Sequence, residues 1–146
     1  MLDAVKIQAR AIIPVVKALE AELGRQRAHE IVGGAIAESW AAFQASRRSG
    51  PGGHPAEADG GFDFPVESEV VEHTPDAYGV NMTACAFADY FREIGEPEIG
   101  ALLTCGVDFA VERRLRPDWE FRRTQTRMLG APFCDFRWRR RGGAPD

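Results

Sequence analysis

Apolar positions at the start of the chain recur at alternating spacings of three and four: Leu2, Val5, Ala9, Ile12, Val16, Leu19 and Leu23. That rhythm puts them on one face of an α-helix. Pro14 lies within the stripe, and because proline lacks an amide donor and clashes with the preceding turn, a kink or restart is expected there. Gly24 supplies a left-handed stop. A second helix is expected from about Gln26 to Arg47, with Ala28, Val32, Ile36, Trp40 and Phe43 along one side. Gly33 and Gly34 in its middle each weaken it by roughly 1 kcal/mol relative to alanine, which points to a close helix contact there. Packing within the monomer is the preferred reading, with a homo-oligomer through these N-terminal helices as the alternative.

The stretch from Ser49 to Gly61 is glycine, proline and small polar residues, so it reads as a mobile loop in which His54 is solvated. Strand character follows from Phe64 to His73, and Thr74-Pro75-Asp76 turns the chain into a second strand from Tyr78 to Thr83. Thr83 is a plausible N-cap for a helix in which Cys85, Ala88 and Phe91 face one way. Glu96-Pro97-Glu98 opens another helix, since proline suits its first turn and acids suit its positive end. It carries Ile99, Leu102, Leu103 and Val107 inward and should stop before Pro117. Trp119–Met128 and Phe133–Arg139 then read as two strands, because apolar and polar residues alternate with period two. The class expected is α+β: an antiparallel sheet of two hairpins with helices packed on one face, in the order ααββααββ. One domain spans residues 1–146, with a frayed tail at 142–146.

Composition narrows the functional classes. A chain of 146 residues with 45% apolar and 27% charged positions can bury a core of its own, which excludes wholesale disorder. The longest apolar runs, such as 11–16, are too short to cross a bilayer, and the first six residues lack a secretory pattern. A cytoplasmic location without membrane association is therefore expected. The three cysteines are odd in number and widely spaced, so reduced thiols are expected. The net charge of −4 argues against a nucleic-acid partner. Arginine is nevertheless concentrated between Arg113 and Arg141, ten against the acids Asp118, Glu120 and Asp135. An outer strand face accounts for most of these, and recognition of a small carboxylate for one or two.

Candidate chemistry rests on thiols and acids. Cys105 and Asp108 are three residues apart on an expected helix, so both side chains act on one face. Cys134 and Asp135 are neighbours on an expected strand, so only one of them can join that site. Cys85, near a helix start, gains thiolate character from the helix dipole. Each thiol taken singly also fits a small buried hydrophobe. A thiolate metal site lacks the CxxC or HxxxH element that usually organises zinc, and His29 and His73 stand alone. No phosphate loop, GxSxG elbow or HExxH is present.

The stretch from about Asn81 to Trp138 resembles the L-2-amino-thiazoline-4-carboxylic acid hydrolases. The specific pieces are Cys-x-x-Asp at Cys105 and Asp108, Thr-x-Thr at Thr124 and Thr126, and Gly-x-x-x-Cys-Asp-Phe-Arg from Gly130 to Arg137. The resemblance implies hydrolytic opening, at a C–N bond, of a cyclic isothiourea bearing a carboxylate, without a cofactor. Such a reaction needs a nucleophile or activated water, a proton donor for the ring heteroatom and a cation for the carboxylate. Cys105 is then the first candidate nucleophile and Asp108 the base or amidinium partner, with Cys134 and Asp135 in support. Thr124 or Thr126 would hydrogen-bond the substrate, Arg123 or Arg137 would hold its carboxylate, and Cys85 would line the site. The alternatives are a non-catalytic small-molecule-binding or regulatory module on the same fold, and a metal sensor built on the three thiols.

Overall fold

The computed structural model describes residues 1–48, 50–57 and 65–142. Helices α1 (Leu2–Leu23) and α2 (Arg25–Ser46) pack against each other. Gly24 separates them at φ +80°, a conformation that glycine alone adopts without strain. The helix is continuous through Pro14, against the expected restart. The anticipated close contact at Gly33 is with the chain itself: a Cβ there would lie 2.9 Å from Leu102 Cδ2.

Strands β1 (Val66–Thr74) and β2 (Ala77–Cys85) form an antiparallel hairpin. Its register shifts between Glu67 and Ser68 and again between Val70 and Glu72. Then come α3 (Ala86–Glu93), α4 (Pro97–Leu103), a single 3-10 turn at Cys105–Val107, and α5 (Asp108–Leu115). Strands β3 (Trp119–Arg122) and β4 (Cys134–Arg140) complete a four-stranded antiparallel sheet in the order β1-β2-β4-β3. The α+β class and the order of elements are as expected.

Side chains alternate across the sheet. Val80 and Met82 of β2, Trp119 of β3, and Cys134 and Trp138 of β4 make one buried apolar cluster. The helices lie over that face: α5 packs on β3, and Trp138 Nε1 donates to Glu112 of α5 at 2.8 Å. A second cluster, Ala9, Phe87, Ala88, Phe91 and Met128, joins the helices to the chain between β3 and β4. The cysteines lie where the two clusters meet, because Cys85 and Cys105 pack on the second while Cys134 belongs to the first.

Four local expectations change. Strand β2 runs on through Cys85, so Cys85 rather than Thr83 precedes the first turn of α3. The helix expected over 97–116 breaks at Thr104 (φ −124°, ψ −90°), whose hydroxyl donates back to Gly100 O at 2.7 Å. Gly106 fits beneath Ala101 O, which would be 2.6 Å from a Cβ at that position. Cys105 therefore lies on a turn and Asp108 opens the next helix, so the two do not share one continuous helix. Strand β3 stops at Arg122, well short of Met128, leaving Thr124 and Thr126 outside the ladder.

The fourth change concerns the segment read as an unpacked loop. Gly52 N donates to Leu115 O at 2.6 Å, Pro55 is buried, and His54 Nε2 bonds Thr74 O at 2.8 Å. The His54 ring also stacks on His73 and meets Tyr78 and Trp119 edge-on. A glycine-rich sequence hides this docking because backbone amides and one imidazole make it. Residues 49 and 58–61, and the tail beyond 142, lie outside the described residues.

Two glycines separate propensity from packing. A Cβ at Gly34 meets nothing within 4 Å, whereas one at Gly100 would land on the ring of the fully buried Phe91. Urea denaturation should show Gly34→Ala more stable by about 0.5–1 kcal/mol. Gly100→Ala should be less stable by roughly 1–3 kcal/mol through overpacking.

Candidate active site

The centre of the cysteine cluster is Thr126. Its Oγ1 accepts from Met128 N at 3.2 Å, which starts the 3-10 turn Arg127–Leu129. The same oxygen accepts from Cys134 Sγ at 3.5 Å and lies 3.9 Å from Cys105 Sγ. Either the Thr126 hydroxyl or the Cys105 thiol can donate in that last contact. Arg127 N donates to Cys134 Sγ at 3.3 Å, and Cys85 is close enough for charge on Cys134 to raise its pKa. Cys105 and Cys134, widely spaced in sequence, thus meet on one threonine, and Cys85 packs against the same cluster as Cys105.

Burial dominates the acidity of Cys105 and Cys85. It pushes the Cys105 thiol above its ordinary value; Asp108 adds to the rise, while Arg123 and the hydroxyls of Thr126 and Thr104 oppose it. Burial raises Cys85 likewise, and the amides of Ala88 and Phe87 at the start of α3 only soften the rise. The expected helix-start effect is present at Cys85 but is outweighed.

The acids divide as alternation requires. Cys134 faces the cluster, while Asp135 turns to the chain leaving β3. It accepts from Thr124 N at 2.9 Å, Thr124 Oγ1 at 2.5 Å and Gln125 N at 2.8 Å. Burial alone would raise Asp135, but these bonds together hold it below the usual carboxylate range. Asp108 is instead paired with Arg123, whose Nη1 donates to Oδ2 at 2.6 Å and whose Nη2 donates to Cys105 O at 2.9 Å. The Arg123 side chain is only 7% exposed and lies against the rings of Phe109 and Phe136. Burial lifts the Asp108 carboxyl to about 7, with Glu112 reinforcing the rise and Arg123 opposing it. Arg137 points away from the thiols and donates to Asn81 Oδ1 at 2.8 Å and to Val80 O and Phe136 O.

Sequence reasoning missed a buried network beside Asp108. Arg116, 4% exposed, donates to both carboxylate oxygens of Glu112 at 2.8 Å, and Glu112 also holds Trp138. The i,i+4 spacing of Glu112 and Arg116 was the available signal. An open depression of about 470 Å³, lined by His54, Glu57, His73, Thr74 and Pro75, lies at the other end of the apolar face, where Tyr78 pairs with Trp138. Among the described residues, no three His, Cys, Asp or Glu side chains are arranged to hold a metal ion, and no helix is long and apolar enough to cross a membrane.

The fold and this cluster define a small α+β protein with thiols and an arginine-paired carboxylate at the seam of its two cores. Residues 4–138 match the model of the L-2-amino-thiazoline-4-carboxylic acid hydrolase family, and the chain belongs to that family. No curated protein matches the chain.

Raised thiols are mostly protonated at neutral pH, so alkylation should be slow. Intact-mass kinetics with iodoacetamide at pH 7 should show Cys105 and Cys85 reacting more slowly than the same thiols in urea. The native rates should climb as pH approaches and passes 9.

Proposed function

We propose that the chain opens a cyclic isothiourea bearing a carboxylate, of the 2-amino-thiazoline-4-carboxylate type. The observation that carries this reading is the meeting of Cys105, Cys134 and Thr126 beside the Arg123–Asp108 pair. Cys105 is the nucleophile. Its thiol gives a proton to Asp108 as sulfur bonds to the amidine-like ring carbon, and that proton passes to the ring nitrogen as the C–N bond breaks. Water then adds at the same carbon, one of its protons going to the exocyclic nitrogen and the other to Cys105 as the new C–S bond breaks. The sum is ring plus water, and the enzyme is unchanged.

Each neighbour has a part in this scheme. Thr126 donates toward the sulfur and favours the thiolate as it forms, while Arg123 fixes the Asp108 carboxylate. Cys134 and Cys85 pack around the reacting group, and Asp135 with Thr124 holds the segment that carries Thr126. The partner is a small carboxylate rather than nucleic acid, and the reaction is placed in the cytoplasm. The raised pKa values of Cys105 and Cys85, which keep both thiols protonated at rest, favour a second reading, a binding module on the same fold that does not turn over its ligand.

Mass spectrometry of the product decides between them. Wild-type protein should release the ring-opened compound, and Cys105→Ser should stay folded yet lose most turnover. Asp108→Asn should lose roughly 10²- to 10⁴-fold. Turnover unchanged in Cys105→Ser would transfer the attack to water activated by Asp108. Absence of product from the wild type on cyclic isothioureas would favour the binding module.

The pH profile gives a further test. Asp108 serves as a base only when ionised, and its pKa is raised to about 7. Activity should therefore fall as pH drops through about 7, roughly tenfold per unit below it. Asp108→Asn should lack that limb.

A further inference from the structure

A carboxylate-bearing substrate needs a cation, and the two arginines singled out in the sequence are already engaged. Arg123 has Asp108 and Cys105 O on its fork and aromatic rings against it. Arg137 is held on the other face by Asn81, Val80 and Phe136. Arg127 differs from both. It directly follows Thr126, and its own amide donates to Cys134 Sγ. Its Nη1 is fixed on Pro132 O at 2.8 Å, which sets the plane of the guanidinium.

The opposite edge of that group is unpartnered. Among the described residues the buried Nε has no hydrogen-bond partner, and Nη2 meets Asp89 at 3.8 Å, beyond hydrogen-bond range. Nε and Nη2 are the pair that an arginine offers side-on to the two oxygens of one carboxylate. Asp89 does not fill the edge; its side chain is 64% exposed. It lies in the first turn of α3, close enough to raise the Cys85 thiol, which itself feels Cys134. The unpartnered edge therefore belongs to a residue that borders the thiol cluster.

We propose that the Nε–Nη2 edge of Arg127 is the carboxylate subsite of this protein, seating the acid group of a small ring compound beside the thiols. The assignment rests on the carboxylate-bearing substrate class proposed above, but not on turnover. Asp89 competes for the same cation, so it weakens anion binding and sets the selectivity of the subsite.

Calorimetry with 2-amino-2-thiazoline-4-carboxylate and with 2-amino-2-thiazoline, which lacks the acid group, tests this directly. The wild type should prefer the carboxylate. Arg127→Met should lose roughly 10- to 100-fold in carboxylate affinity, the worth of a charge-assisted pair, while keeping its affinity for the ring that lacks the acid group. Arg127→Lys, which retains charge but not the fork, should fall between, and Asp89→Asn should bind the carboxylate more tightly than wild type. The Lys and Asn variants decide the matter should Arg127→Met fail to fold. A carboxylate preference retained in Arg127→Met, abolished instead by Arg137→Met, or weakened by Asp89→Asn overturns the assignment. Carboxylate binding that needs Arg127, without ring opening, keeps the subsite and removes the hydrolase reading; turnover with no dependence on Arg127 does the reverse.

Discussion

A chain can leave a sheet only where its amides find other acceptors, and in this protein Asp135 supplies them. By taking the amides of Thr124 and Gln125, and the Thr124 hydroxyl, its carboxylate ends β3 after Arg122. Released from the ladder, Arg123 turns inward to Asp108, Thr126 caps the following turn, and Met128 is buried among the helices. One carboxylate on β4 thus brings together the parts of the site that come from the β3–β4 connection. The lowered pKa of Asp135 follows from the same bonds, which favour its ionised form.

The second constraint is the broken helix. Had residues 97–115 formed one rod, Cys105 and Asp108 would have shared a face by ordinary helical spacing. The break at Thr104 instead puts Cys105 on a turn, with its carbonyl exposed to Arg123. Asp108 then opens α5, where an acid suits the positive end of the helix. One guanidinium can therefore hold both the carboxylate and the backbone of the thiol residue.

What the residues disclosed in advance follows the range of the interactions. Periodicity located both long helices and the first hairpin, since each is written in contacts a few residues apart. Alternation also separated Cys134 from Asp135 correctly. The same rule carried β3 too far, because Thr124 and Thr126 continue its pattern while a carboxylate eleven residues on from Thr124 ends it. The docking of Gly52 and His54 was invisible for a related reason: its partners are Leu115 and Thr74, distant in sequence and bonded through their carbonyl groups. Arg127 was hidden among nine other arginines, since only the hydrogen bonds of each distinguish an unpartnered fork from a filled one.

The shifted register of β1 reaches beyond the hairpin. Val71 falls between the pairs Val70–Val80 and Glu72–Gly79, and Gly79 makes room for it: a Cβ there would lie 3.2 Å from Val71 Cγ2. Such bulges twist an outer strand away from the flat geometry that another strand would need to pair with it. Glu67 and Glu69 add exposed charge along the same margin. The opposite margin, β3, is only four residues long. Both rims of the sheet are thereby poor templates for a further strand, which offsets the exposed valines Val70 and Val71 on β1.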